Sequence, residues 1–265
     1  MTEARTPISI AFPSDVTAQP RLRLTLAPIR LRITAADQDE WLTGTFTDPT
    51  GQMPLTVQTD GANVRITSSK KVTAFRRFKA PVLELKLSTR RPFALTLDLG
   101  ASDQTQVDLG GIPLREVDIK IGAGQAKFDF SLPNPQEMDS FAVKAGAAEL
   151  ALTGLGNSGA RKVDIDGGAA SVSVDFGGRL TRDLDAGIRT GMASSEVIVP
   201  KTTAARIRTK TALAGVTVGD GFTVKGGAYS TLALLGGQQP VLTIDLQSAL
   251  GSVAIKMDDT IALPA

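Results

Sequence analysis

Ala94–Ala101 reads ALTLDLGA, Val117–Gly124 reads VDIKIGAG, Phe141–Ala148 reads FAVKAGAA and Val163–Ala170 reads VDIDGGAA. These four phrases are one phrase repeated. Weaker copies follow at Ala186–Ala193 (AGIRTGMA), Ala205–Ala212 (ARIRTKTA), Phe222–Tyr229 (FTVKGGAY) and Leu242–Ala249 (LTIDLQSA). With Gly100, Gly122, Gly146, Gly168, Gly191, Lys210, Gly227 and Gln247 as the common position, the steps run from 17 to 24 residues. Three residues before it stand Leu97, Ile119, Val143, Ile165, Ile188, Ile207, Val224 and Ile244, all aliphatic. Five before it stand Leu95, Val117, Phe141, Val163, Ala186, Ala205, Phe222 and Leu242, all apolar. Between them the column is Asp98, Lys120, Lys144, Asp166, Arg189, Arg208, Lys225 and Asp245, charged throughout. Side chains alternate across a strand, so each copy is a strand with one face in a core and the other in water.

A small residue follows the common position at Ala101, Ala123, Ala147 and Ala169, and a second alternating run follows that. Phe128, Leu152, Val174, Val197, Val216 and Val253 share a column there. A coil of two short strands joined at a tight Gly/Ala corner satisfies both runs. One coil cannot hide its apolar side, so several must stack. An antiparallel sandwich also spaces short strands regularly but gives no reason for one corner to recur. The expected fold is all-β: a single-handed β-helix, or β-solenoid, of about eight coils over residues 91–258. A strand-rich N-terminal cap over 1–90 precedes it, and a tail over 259–265 follows.

The 265 residues are 42% hydrophobic and 21% charged, enough for a sizeable core. Lys plus Arg is 29 and Asp plus Glu is 27, so the net charge of +2 gives no general pull toward nucleic acid. There is no His and no Cys. That removes imidazole bases, Ser-His and Cys-His pairs, zinc sites of the usual kind and disulfides together. No cofactor is expected. The opening MTEARTPISIAFPSD holds no apolar run of signal-peptide length and no 18-residue apolar span occurs, so the expectation is a cytoplasmic chain without a transmembrane segment.

The first third is strand-rich outside that register: Leu22, Leu24 and Leu26, then Ile29, Leu31 and Ile33, alternate around Pro28. Turn signals at Asp48-Pro49-Thr50-Gly51 and Asp60-Gly61-Ala62-Asn63 divide further strands. Trp41, beside Leu42 and before Gly44, reads as the core plug of the cap. From Lys70 to Arg91, eight Lys or Arg face only Glu84, which marks a junction.

Several of these segments resemble a known family. RLRLTLAPIRLRIT, Trp41-Leu42-Thr43-Gly44, Met53-Pro54-Leu55-Thr56-Val57 and Gly61-Ala62-Asn63-Val64-Arg65-Ile66 are similar to the N-terminal domain of bacterial toast-rack proteins. The repeats from about residue 93 resemble the body of that family, which is related to adhesin-like and LiaF-like envelope-stress proteins. The resemblance implies a β-helix without an established catalytic activity. Many members carry transmembrane segments before the repeats, which this sequence lacks.

The outward acids Asp118, Asp164 and Asp166 are where a polysaccharide-cleaving β-helix would keep its carboxylates. Lys144 and Arg189 flank Asp166 in the stacked register, which favours a ladder of opposite charges. Val163–Gly168 offers two carboxylates on one strand, short of a calcium loop. Gly122–Lys127 mimics a phosphate loop but runs into a strand and reads as a repeat corner. The one stretch that departs in composition is basic and interleaved with Phe75 and Phe78, and Lys70, Lys71, Arg76, Arg77 and Lys79 are its candidate interaction surface. The functional expectation is a non-enzymatic structural or interaction module of a bacterial cell, linked by resemblance to envelope stress or adhesion. Its partner would be protein, not nucleic acid, with self-association through the solenoid ends. A carbohydrate-binding or carbohydrate-cleaving β-helix is the alternative.

Overall fold

The computed structural model describes residues 4–51, 53–68 and 79–258. Its first third holds β1 (Ala4–Ile10), β2 (Arg21–Leu26), β3 (Arg30–Ala36), β4 (Leu42–Asp48), β5 (Leu55–Asp60), β6 (Asn63–Ser68) and β7 (Val82–Ser88). Long strands follow: β8 (Phe93–Asp108), β9 (Leu114–Asp129), β10 (Met138–Thr153), the broken pair β11 (Ala160–Gly167) and β12 (Ser171–Asp175), and β13 (Leu184–Pro200). The chain ends with β14 (Ala204–Val218), β15 (Phe222–Lys225), β16 (Ala228–Thr231), the short helix α1 (Leu232–Leu235) and β17 (Val241–Asp258). The protein is all-β in class.

Each long strand is two limbs. In β9 the buried residues after Leu114 are Val117, Ile119 and Ile121, then Ala126 and Phe128, so the alternation changes phase between 122 and 125. The same change divides Phe141, Val143 and Ala145 from Ala148, Leu150 and Leu152 in β10. A period of two that slips by one keeps both limbs apolar toward the core only if the strand turns a corner there. The corner is glycine for a steric reason. A Cβ on Gly122 would lie 2.5 Å from the carbonyl oxygen of Gly100, and one on Gly146 the same distance from that of Gly122. Gly124 adds a positive φ of 118° and would drive a Cβ into the Ser102 carbonyl.

The strands pair in parallel and in register. Leu97 lies opposite Ile119, Ile119 opposite Val143, Val143 opposite Ile165 and Ile165 opposite Ile188, all essentially without solvent exposure. In the second limb Val107, Phe128, Leu152, Val174 and Val197 form the matching buried row. Lys120, Lys144 and Arg189 are exposed, and Asp166 is half-exposed beneath Arg189.

The ladder corrects the sequence reading in four places. First, the N-terminal third is in register with the repeats: Leu22, Leu24 and Leu26 lie opposite Leu95, Leu97 and Leu99, and Ile33 opposite Val107. Beyond them β6 pairs with β2 and β7 with β3, again in parallel. The repeat was hidden because Ala27-Pro28 stands where the other copies have glycine.

Second, the final strands are not stacked in chain order. β17 lies between β13 and β14, parallel to both. Leu242, Ile244, Leu246, Val253 and Ile255 of β17 are all buried, whereas β14 offers Ala205, Ile207, Thr209, Val216 and Val218 at the matching places. The more apolar strand takes the inner position, and a connection of more than twenty residues leaves it free to do so.

Third, Ile207 does not continue the Ile188 row. Ile188 faces Leu246, which faces Thr209, while Ile207 sits with Ile244 beside Ala186. Arg208 and Asp245 move with it, and Val218 and Ile255, not Val216 and Val253, continue the Val197 row. A slip of two residues preserves inside and outside, so alternation alone cannot detect it. Fourth, FTVKGGAY is not a coil. Gly226 and Gly227, both at positive φ, close an antiparallel β15–β16 hairpin, for which Gly-Gly between alternating runs is the turn signal.

The stack has different ends. At the N-terminal end antiparallel strands cover the last layer: β5 on β6, β4 on β7 and β1 on β4. Trp41 is fully buried there, stacked on Phe12 at 5.9 Å and edge-on to Phe93 at 5.6 Å. At the other end β16 pairs with Arg206, Ile207 and Arg208 of β14 alone.

Truncating Ile165 to Ala is predicted to cost about 2–5 kcal/mol through the cavity it leaves. Lys144→Ala, on the outer column, should cost under about 1 kcal/mol, and Gly146→Ala about 1–3 kcal/mol from the clash with Gly122. Urea midpoints of the three variants check the order. A Lys144→Ala cost equal to that of Ile165→Ala contradicts the assignment of faces.

Candidate functional site

The outer face of the ladder carries the acids that the sequence singles out. Asp98, Lys120, Lys144, Asp166 and Arg189 line a shallow trough of about 630 Å³ along the first-limb corner. The Arg189 guanidinium donates to Asp166 at 2.6 Å and reaches Asp164 at 3.5 Å, and Lys162 holds Asp164 from the other side at 2.7 Å. Arg23 meets Asp98 at 3.8 Å and Arg208 meets Asp245 at 3.7 Å. Asp118 makes no ion pair among the described residues. Except for Lys162–Asp164, which lies within β11, these pairs cross from strand to strand, and the exposed ones each contribute about 0.2–1 kcal/mol.

The basic stretch is only partly on view. Lys70, Lys71, Arg76 and Arg77 lie outside the described residues. Lys79 is exposed at the rim of a hollow of about 740 Å³ with Pro28, Arg30, Pro49, Ala101 and Ala123. Arg90 and Arg91, at its other end, are engaged within the chain. Arg90 binds Asp37 at 2.8 Å and also Asp39. Arg91 donates to the carbonyls of Pro13 and Asp15 at 2.9 and 3.1 Å and lies over the Phe12 ring, which ties the β1–β2 connection to the cap. The structure therefore separates Lys79 from the two arginines that composition had grouped with it.

Sequence reasoning missed a third feature, at the far end of the second limbs. Asp129, Asp175 and Asp258 line a cleft of about 1060 Å³ together with Asn157, Arg179 and Thr203. Burial raises the Asp175 carboxyl above its usual range, opposed by the N–H groups of Gly177 and Gly154 and reinforced by the charges of Asp258 and Asp129. One of these acids holds a turn and another bonds across strands. Asp175 accepts from the Gly177 N–H at 2.8 Å, and Asp129 accepts from the Thr153 hydroxyl at 2.7 Å. The signal was present, since Asp108-x-Gly110 and Asp175-x-Gly177 are both an acid two residues before glycine, the pattern of an Asx turn. No group of three metal-ligating acids converges among the described residues.

In the cap, burial opposes ionisation of Asp48, yet the N–H groups of Met53 and Thr50, the Thr50 hydroxyl and the Gly51 N–H outweigh it and hold the carboxyl below its usual range. This carboxylate closes the turn before β5.

The sequence profile described as the N-terminal domain of toast_rack, DUF2154, matches residues 2–153. No curated protein matches the sequence. Among solved structures, a "putative cell adhesion protein" from Clostridium sporogenes is similar over 97% of this chain and 100% of its own, with 14% identity and a TM-score of 0.46. A "putative lipid binding protein" from Parabacteroides distasonis is similar over 97% of each chain, with 12% identity and a TM-score of 0.42. A "putative adhesin" from Bacteroides fragilis covers the same shares, with 11% identity and a TM-score of 0.42.

The two shifted acids predict opposite pH responses. Asp175 has a raised folded-state pKa, so the folded state binds its proton more tightly and ionisation costs stability as pH rises through that value. Asp175→Asn should therefore gain on the parent between pH 4 and pH 7 in thermal melts. Asp48 has a lowered folded-state pKa, so its contribution is present above the unfolded value and fades as pH falls through the folded one. Asp48→Asn should lose to the parent at pH 7 and converge with it in acid. A parent-minus-variant difference that is flat with pH at either position contradicts the assignment there.

Proposed function

Because the chain belongs to the family defined by the N-terminal domain of toast_rack, we propose that it is a non-enzymatic structural or interaction module, a β-solenoid whose work is to hold extended faces rigidly. The observation that carries the reading is the pairing of the outer acids. Asp164 and Asp166 of β11 are both bound by Arg189 of β13, with Lys162 of β11 also on Asp164, so the Arg189 pairs serve cohesion between strands. A glycosidase needs one carboxyl kept protonated as a general acid and a second at a set distance across a substrate groove. The outer trough is shallow and holds no aromatic side chain on which a sugar ring could stack. The acids of the second-limb cleft are occupied in part by turn N–H and hydroxyl groups. Among the described residues no helix is long and apolar enough to cross a membrane. The surfaces open to a partner are the strand faces, the basic stretch and the open end of the ladder, and protein is the class proposed.

The test is a polysaccharide panel with the parent and the Asp118→Asn/Asp164→Asn/Asp166→Asn variant. The expected result is no turnover by either and a variant stability within about 1 kcal/mol of the parent. Turnover by the parent that disappears in the variant overturns the proposal. The basic stretch has its own measurement. Binding of anionic vesicles is expected to be weak at physiological salt and unchanged by Lys70→Glu/Lys71→Glu/Arg76→Glu/Arg77→Glu. Tight parent binding that falls steeply with salt and vanishes in the variant makes that stretch a lipid surface instead.

A further inference from the structure

The second limb of β14 is an open edge of unusual composition. From Thr211 to Gly219 the sequence is TALAGVTVG, without a charge or a proline. β17 covers one side of it. On the other side no strand pairs with it among the described residues, because β16 reaches only Arg206–Arg208. Edges of that kind are ordinarily blunted by charge or proline. β1, at the opposite end, has both, with Arg5 and Pro7.

The core is also unfinished here. Val253 and Ile255, one layer in, are 1% and 0% exposed. Val216 and Val218, opposite them on β14, are only half-buried although packed on the same core. Beside them the corner column changes character. Ala101, Ala123, Ala147 and Ala169 give way to Met192, Leu250 and Leu213, which lie in register across β13, β17 and β14 and are 65%, 41% and 80% exposed. An apolar ridge thus rises toward the open edge.

The geometry points to a second copy of this chain as the occupant, joined edge to edge through β14 about a two-fold axis. An antiparallel ladder centred on Gly215 places Leu213 opposite the partner's Thr217 and Ala214 opposite the partner's Val216, inward residue against inward residue. Nothing lies within 4 Å of a Cβ built on Gly215, so the axis position is free of obstruction. The charges that flank the neutral edge fit the same axis. Lys210 stands at one end and Asp220 at the other, both exposed. Neither makes an ion pair among the described residues, and the two-fold brings each Lys210 toward the partner's Asp220. A parallel pairing would set like against like. A contact about a two-fold axis is isologous and uses the same edge of both copies, so it stops at two copies. One short edge is a small interface, which places the dimer in roughly the micromolar class. The inference goes beyond the scaffold reading and holds whether or not the protein has an activity.

Sedimentation equilibrium of the full chain from about 1 to 300 μM spans that class. The expected result is a monomer–dimer equilibrium that Val216→Lys abolishes. Asp220→Lys, on an exposed loop where folding is not at stake, should weaken the dimer about tenfold, since two symmetry-related attractions become repulsions. Lys210→Asp/Asp220→Lys should restore it. A monomer throughout overturns the proposal, as do open-ended higher oligomers or a dimer indifferent to Val216→Lys. A dimer that the double charge reversal fails to restore overturns the two-fold register. A full chain that stays monomeric while one ending at Asp258 dimerises assigns the edge to residues 259–265 and overturns the proposal as well.

Discussion

A parallel strand cannot satisfy its own backbone. Its N–H and C=O groups find partners only on the strands above and below, and each group left unpaired away from water costs what a lost hydrogen bond costs. The other features of this protein follow from keeping that ladder in register around a corner. Layers at strand spacing bring corner carbonyls so close that a Cβ on Gly122 or Gly146 would overlap the layer before. In-register stacking then puts like on like: Leu97, Ile119, Val143, Ile165 and Ile188 form one buried row. Beside it the outward residues include opposite charges that meet across strands, as Asp166 and Arg189 do, although Lys120 and Lys144 also stand opposite each other, exposed to water.

The same constraint governs the ends, where it can no longer be met by another copy of the repeat. At one end the chain turns antiparallel strands onto the last layer and fills the remaining space with Trp41, Phe12 and Phe93. At the other the C-terminal strand returns to the interior, and the less apolar β14 is left outermost with a hairpin over Arg206–Arg208 only. Burial decides that order. Leu246 and Ile255 gain more from two covering neighbours than Thr209 and Val218 would.

Much of this was legible in the sequence, and the illegible part has a common cause. The faces of Ile119, Val143, Ile165 and Ile188 were readable because alternation reports which side of a strand is buried. Alternation has period two, so it is blind to a two-residue slip, which is why Ile207 was placed beside Ile188 and belongs beside Ala186. It is equally blind to the order in which equivalent strands stack. It missed the N-terminal layer because Pro28 replaced the corner signal, and it took the Gly226-Gly227 hairpin for a coil because both need a small residue after a short strand. At the candidate surface, composition grouped Arg90 with Lys79, whereas Asp37 and Asp39 claim Arg90. Charge density in one dimension does not reveal partners fifty residues away.

The absence of cysteine from the chain makes the stacking order directly measurable by paired cysteine substitution. Ser194 and Ser252 lie opposite each other on β13 and β17, with their hydroxyl oxygens 3.3 Å apart, and Gly215 lies one layer further out on β14. Oxidation of Ser194→Cys/Ser252→Cys at low protein concentration should form an intramolecular disulfide in nearly every molecule, because the separation of opposed strand residues suits the bond. Ser194→Cys/Gly215→Cys should form none. Closure of the second pair and not the first would mean that the strands stack in chain order, and the account of how this core is completed would be wrong.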